Sequence, residues 1–218
     1  VIYAPSGCAL GDCWASINWC LTKALECDVT VDLATYYKKG TKIKSAKDNL
    51  IEILPVFKDI KCGSLELVDE DPTPRLLAEG GGYLKWWDVY DEFYLPTKVT
   101  WQNADSKTVC CHFEGISKKH KNCSKVDQTK ILDYLLQRGY SPIMLGREYD
   151  DLRQAVDLLV TCKYLVTVDS GYAHVAHSTR TPIHMIRNGR TIPEIIETHK
   201  RKPLTLYQDA SEFINANK

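Results

Sequence analysis

The chain holds 218 residues, enough for one large domain or two small lobes with a substantial core, so it is not a mini-protein held together by disulfides. With 28 basic and 28 acidic residues the formal charge is zero, which excludes a global attraction to DNA or to an anionic membrane and leaves only a local basic patch to meet a polyanion. A composition 44% hydrophobic and 26% charged excludes a disordered chain.

The opening VIYAPS reads as a strand that ends in the glycine-bearing turn SGCALGDC. WASINWCLTKALE follows, with Trp14, Ile17, Leu21 and Leu25 recurring at helical spacing. VTVDLATYY is a second strand, and the lysines behind it, Lys38, Lys39, Lys42, Lys44 and Lys47, read as a solvated surface before the apolar run Leu50 to Phe57. Residues 62–95 start as a strand and loop and pass through GGGY into WWDVYDEFY, a short helix or a loop. PTKVTWQNADSK, residues 96–107, joins a proline to polar turn formers and marks a lobe boundary.

Beyond that boundary TVCCHFE is a strand, VDQTKILDYLLQRG a helix stopped at Gly139, SPIMLG a strand and DDLRQAVDLLVTC a helix. YLVTVDSG is short and β-branched, AHVAHSTR is helical, TPIHMIRNG is a strand, and two tail helices are expected around IPEIIETHK and DASEFINANK. Strands alternating with helices predict an α/β fold of two small Rossmann-like lobes with mostly parallel sheets and helices on both faces. The expected divisions are a lobe over 1–104, a second over 105–190, and a helical tail over 191–218 packing across both.

Nine cysteines are an odd number, Cys110 and Cys111 are adjacent, and no secretory leader is read ahead of them, so reduced thiols in a cytoplasmic compartment are expected. Cys13, Cys20 and Cys27 lack paired ligand spacing, and no metal site is expected. No stretch approaches the roughly 18 apolar residues of a membrane span. Dinucleotide, Walker A and nucleophile-elbow motifs are absent, which removes the usual handles for dehydrogenase, NTPase and serine hydrolase chemistry. The aromatic concentration Trp86, Trp87, Tyr90, Phe93, Tyr94 and Trp101 either packs a core or stacks on a sugar or base.

The most informative stretch is YLVTVDSGYAHVAHSTRTP, where Asp169, Ser170 and Gly171 fall between an apolar strand and a helix. Ligands of open α/β sheets gather at this carboxyl edge. Asp169 or Ser170 can cap the helix, and Gly171 lets an anion approach its first amides; a capped helix and a diphosphate site are both open readings. His174 and His177 share a helix face, with His174 close enough to the first turn to reach a phosphate or hydroxyl and His177 packed inside.

From Thr108 to Gly189 the chain resembles the C-terminal lobe of the lipopolysaccharide heptosyltransferase family of GT-B glycosyltransferases. The resemblance is carried by TVCCHFEGISKKHKNCS, LLQRGYSPIMLG and VTVDSGYAHVAHSTRTPIHMI, with Asp169, Ser170, Gly171, His174 and Ala176 on the family's signature. It implies a two-lobed GT-B-like fold in which this loop and helix hold the diphosphate of a nucleotide sugar. It also carries a Gly-Asp pair onto Gly11 and Asp12, with Asp12 as catalytic base where local chemistry also allows a helix cap, and a basic residue against the donor phosphates onto Lys118, Lys119 or Lys121, with Lys119 preferred. Apart from the resemblance, Glu148 is an acidic residue at a strand end, placed to meet ribose hydroxyls, with Asp150 and Asp151 competing for that role. The chain is shorter than typical members, and the strand, loop and helix they carry after the GREYDD region is missing.

The expected activity is therefore transfer of a sugar from a nucleotide-sugar donor to an acceptor hydroxyl, inverting and metal-independent, with no cofactor beyond the donor substrate. The acceptor is a saccharide or, by analogy with compact enzymes that modify phage DNA, a hydroxylated base; the basic blocks 38–47 and 118–130 could then contact DNA. The alternative is a noncatalytic nucleotide- or glycan-binding module that kept only the anion pocket.

Overall fold

The computed structural model describes residues 2–6, 10–11, 14, 33–37, 65–67, 105–115, 122–146, 151–193, 195 and 204–218. The chain divides into two compact units, residues 1–98 and 99–218. In the first, β1 (Ile2–Ser6), β2 (Leu33–Tyr37) and β3 (Leu65–Leu67) form a parallel sheet in that order, Ile2 opposite Leu33 and Leu33 opposite Leu65. Parallel neighbours need a crossover rather than a hairpin. Leu10, Gly11 and Trp14, behind β1, are helical, and Trp14 is buried.

The second unit carries five parallel strands: β4 (Thr108–His112), β5 (Ser141–Met144), β6 (Leu165–Thr167), β7 (Ile183–Ile186) and β8 (Leu204–Tyr207). Their spatial order is β5-β4-β6-β7-β8. The helices are α1 (Lys125–Gln137), α2 (Leu152–Thr161), α3 (Gly171–Thr179) and α4 (Ala210–Ala216). This is the α/β, parallel, Rossmann-like arrangement that strand and helix alternation predicts for the region.

Strand side chains alternate between faces, so every second residue reaches the same layer. Val109, Cys111 and Phe113 join Val166, Val168 and Ile186 in one core with Ile131, Tyr134 and Leu135 of α1 and Ala210 and Phe213 of α4. Cys110 falls on the opposite face, beside Cys162 at the end of α2, where α2 packs on α3. The adjacent pair Cys110 and Cys111 is thereby split between two cores. Cys110, Cys111, Cys123 and Cys162 are all buried free thiols, and the neighbouring Cys162 thiol together with burial pushes the Cys110 thiol well up.

One expectation for the end of the chain is corrected. Leu204–Tyr207 is a strand rather than part of a helical tail; it pairs with β7, with Ile183 opposite Leu204 and Ile186 opposite Tyr207. The segment LTLY alternates in exposure and meets an unfilled sheet edge, whereas four residues are too few to sustain a helix alone. The helix expected around DASEFINANK is present as α4, packed on α1. Tyr134 of α1 donates its hydroxyl proton to the carbonyl of Asn217, fastening the terminus to this same unit.

Candidate functional site

From β4 the chain moves outward to β5 and then returns past β4 to β6, so the winding reverses between β4 and β6. Loops leaving the carboxyl ends of those two strands diverge, and open α/β sheets bind ligands in the crevice this makes. His112 closes β4 there and Thr167 closes β6.

His112 is half-buried, and its Nδ1 lies 3.0 Å from the hydroxyl oxygen of Ser170. That hydroxyl in turn lies 3.0 Å from Oγ1 of Thr167, which is 2.9 Å from the carbonyl oxygens of both His112 and Val168. Each hydroxyl has one proton, and carbonyl oxygens only accept. The Thr167 and Ser170 hydroxyls and Nδ1 of His112 thus form one continuous chain of polar contacts leading from the backbone carbonyls to the imidazole.

This relay decides how α3 begins. Ser170 occupies the N-cap position with an extended backbone, φ −140° and ψ 169°, yet its side chain makes no capping bond. At the other helix starts Ser124 accepts from the amide of Asp127, Asp151 from that of Arg153, and Asp209 from that of Glu212. Gly171, the first residue of α3, is partly exposed and has no Cβ. The positive end of α3 thus faces the crevice without a side-chain oxygen of its own cap residue folded over it, the electrostatic condition that favours a phosphate.

Two further strand ends contribute. Gly146, just past β5 with φ +80°, is so close to the rings that a Cβ there would lie 3.5 Å from Cδ2 of His112 and 3.6 Å from Cε2 of Tyr172. The rings of His112 and Tyr172 meet at 4.6 Å, tilted by 55°. Past β7, the amide of Arg190 donates to the carbonyl of Arg187 at 3.0 Å, closing a turn whose central residues Asn188 and Gly189 have φ 46° and 87°. Positive φ at both positions is what a type I′ turn requires, and Asn-Gly supplies it with little strain.

That turn carries Arg190 back to Asp169, with which it forms an ion pair; the two side chains are only 11% and 5% exposed. Asn188 also donates its side-chain amide to the carbonyl of Asn122, and Asn122 accepts the amide of Gly115 at 2.7 Å. A Cβ on Gly115 would stand 3.6 Å from the carbonyl oxygen of Asp169. The chain leaving β4 and the chain leaving β7 are therefore tied together beside the end of β6.

Of the residues picked out from sequence, Asp169, Ser170, Gly171 and His174 lie together at the junction of β6 and α3. His174 is buried one turn into a helix whose residues are all buried from Tyr172 to Thr179. Gly11 is a buried helical residue of the first unit. Asp12, Lys118, Lys119, Lys121 and Glu148 lie outside the described residues. Gly115 and Asn122, which flank the three lysines in sequence, are bonded to each other beside Asp169. Among the described residues no group of three or more His, Cys, Asp or Glu side chains could hold a metal ion.

Sequence reasoning missed His112, Thr167 and Arg190. For His112 a signal existed: an imidazole ends the otherwise apolar run TVCC at the strand edge where ligands collect. For Arg190 there was none, because its partner lies 21 residues earlier and meets it only through the turn after β7.

No protein-family model matches the chain, and no curated protein matches its sequence. Among solved structures it is similar to the dodecameric iron-containing heptosyltransferase TibC, whose crystal structure is a complex with ADP-D-β-D-heptose, with a TM-score of 0.52 and 13% identity. The match covers 94% of this chain and 62% of that one, so this chain spans less than two thirds of the TibC chain. At that identity the likeness is one of fold alone: a parallel, Rossmann-like α/β arrangement similar to that of TibC.

Proposed function

We propose that the chain is a glycosyltransferase that moves a sugar from a nucleotide-sugar donor to an acceptor hydroxyl. The observation that carries the reading is the start of α3, where the Ser170 hydroxyl turns to His112 and Thr167 and makes no capping bond to the first turn, at the point where the sheet winding reverses. The fold likeness to a heptosyltransferase crystallised with ADP-D-β-D-heptose supports it.

In this reading the backbone at Ser170 and Gly171 grips the diphosphate, and Asp169 and His174 complete the donor pocket. Glu148 binds ribose. Asp12, next to Gly11, is the base: as the acceptor oxygen attacks the anomeric carbon, the bond from that carbon to the diphosphate breaks and the acceptor proton passes to the carboxylate. Attack opposite the leaving group inverts the anomeric centre. Lys119, with Lys118 and Lys121 beside it, steadies the negative charge on the departing nucleoside diphosphate. The acceptor is a saccharide or a hydroxylated base in DNA.

TibC contains iron; among the described residues of this chain no group of three or more His, Cys, Asp or Glu side chains could hold a metal ion. A helix N-terminus and basic side chains can balance diphosphate charge, so the transfer is assigned no metal step. Stripping divalent ions with a chelator should leave most activity; complete loss restored by Mg²⁺ would refute this.

The deciding experiment screens UDP-, ADP-, GDP- and CMP-sugars for binding by mass spectrometry, then measures transfer to saccharides and to hydroxymethylated DNA. Asp12→Asn should lower turnover by about 10²–10⁴-fold and leave donor affinity unchanged, as loss of a general base does. A wild-type chain that binds a donor but transfers to neither acceptor would instead be the noncatalytic binding module.

A further inference from the structure

The ion pair between Asp169 and Arg190 raises an electrostatic problem for a site that takes a diphosphate. Asp169 is buried immediately before the helix end that would receive the anion, and an uncompensated carboxylate there repels every phosphate oxygen through a medium that screens poorly. Arg190 meets that carboxylate directly. It is delivered by a turn built for the purpose of reversing the chain after β7, and that turn is itself anchored through Asn188 to Asn122.

We infer that Arg190 is a positioning residue of the anion site: it neutralises Asp169 and so sets the sign of the field at the start of α3. The inference rests on the diphosphate reading above and adds to it a residue from a different strand end. Arg190 acts here through Asp169, not by touching the ligand. The carboxylate is kept, held in a fixed ion pair, and its charge is removed from the balance that the incoming anion meets.

Two variants pull in opposite directions under this arrangement. Arg190→Gln removes the cation of this ion pair from beside a buried carboxylate and should weaken anion binding. Asp169→Asn keeps the cation, removes the negative charge and should strengthen it. The double variant Asp169→Asn with Arg190→Gln carries neither charge and should return to near the starting affinity.

The probe is inorganic pyrophosphate, which has the charge of the diphosphate and is indifferent to the identity of base and sugar. In calorimetric titrations of the full chain, Arg190→Gln should bind pyrophosphate about tenfold or more weakly, Asp169→Asn about three- to tenfold more tightly, and the double variant within about threefold of wild type. The gain in Asp169→Asn keeps the test sound if Arg190→Gln folds poorly, since a damaged fold does not tighten binding. A double variant as weak as Arg190→Gln would mean that Arg190 contacts the anion itself and would overturn the inference. So would an Asp169→Asn variant that binds no more tightly than wild type. If wild type binds neither pyrophosphate nor any nucleoside diphosphate, the diphosphate reading falls and takes this inference with it; if wild type binds and all three variants match it, only the inference falls.

Discussion

Ser124 and Ser170 are the same residue in the same position, one ahead of α1 and the other ahead of α3, and they do opposite things. Ser124 turns its oxygen onto the amide of Asp127 at 3.1 Å and closes the helix on itself. Ser170 turns to His112 and Thr167, 58 and three residues away in sequence. The difference lies in their neighbours: α1 begins on an exposed surface where Ser124 bonds to its own first turn, whereas α3 begins between two strand ends that present an imidazole and a hydroxyl. A side chain that caps its own helix satisfies a first-turn amide, and one that turns elsewhere leaves that amide to another partner, which under the proposed function is the diphosphate.

The largest test of that contrast removes an amide without breaking the helix. Proline suits the first position of a helix, and Ser170 already has the extended backbone that proline demands of the residue before it. Gly171→Pro should therefore fold, yet bind pyrophosphate or donor about ten- to a hundredfold more weakly, the loss of one hydrogen bond to a charged group worth about 1.5–3 kcal/mol. Unchanged affinity, measured by calorimetry, would move the anion away from α3.

A second contrast is between His112 and His184, on β4 and β7 of the same sheet. His112 sits among polar partners, while His184 is packed against Tyr164 at 4.6 Å, stacked on Tyr207 at 5.7 Å, and shares a 2.8 Å hydrogen bond with the Tyr207 hydroxyl. Burial pushes the His184 pKa down from 6.5 to about 4. Because the folded value lies below the unfolded one, the unfolded chain takes up the proton first as pH falls. Stability is then complete above about pH 6.5 and declines toward pH 4, by on the order of 3 kcal/mol. Urea unfolding at pH 7, 5.5 and 4 should show this slope, and His184→Phe should flatten it; a slope that survives the substitution would assign the acid sensitivity elsewhere.

The smallest effect belongs to the ordinary cap. Ser124→Ala should lower the free energy of unfolding by about 1 kcal/mol and leave ligand affinity untouched. A change in affinity would show that α1 and α3 are not separate in the way their starts suggest.

Much of the second unit was legible because its signals are local. The helix that becomes α1 begins after Ser124 and stops near Gly139 within reach of its own side chains and backbone, and the run TVCC alternates into two cores as any buried strand does. The triplet Asp169, Ser170 and Gly171 stood out for the same reason, being polar and small where an apolar strand gives way to a helix. The strand Leu204–Tyr207 was missed, since four residues carry little periodicity and their pairing depends on an edge that β7 leaves open.

The residue pattern alone was sufficient for the alternation of strands and helices in the second unit and for the loop at which an anion would enter, because hydrophobic period and helix capping act over a few residues. Where the Ser170 hydroxyl turns, and which cation faces Asp169, depended on the strand order β5-β4-β6-β7-β8. That order brings His112 and Arg190 to the same sheet edge as Ser170, and hydrogen bonds and ion pairs form only between groups brought within about 3 Å, whatever their distance along the chain.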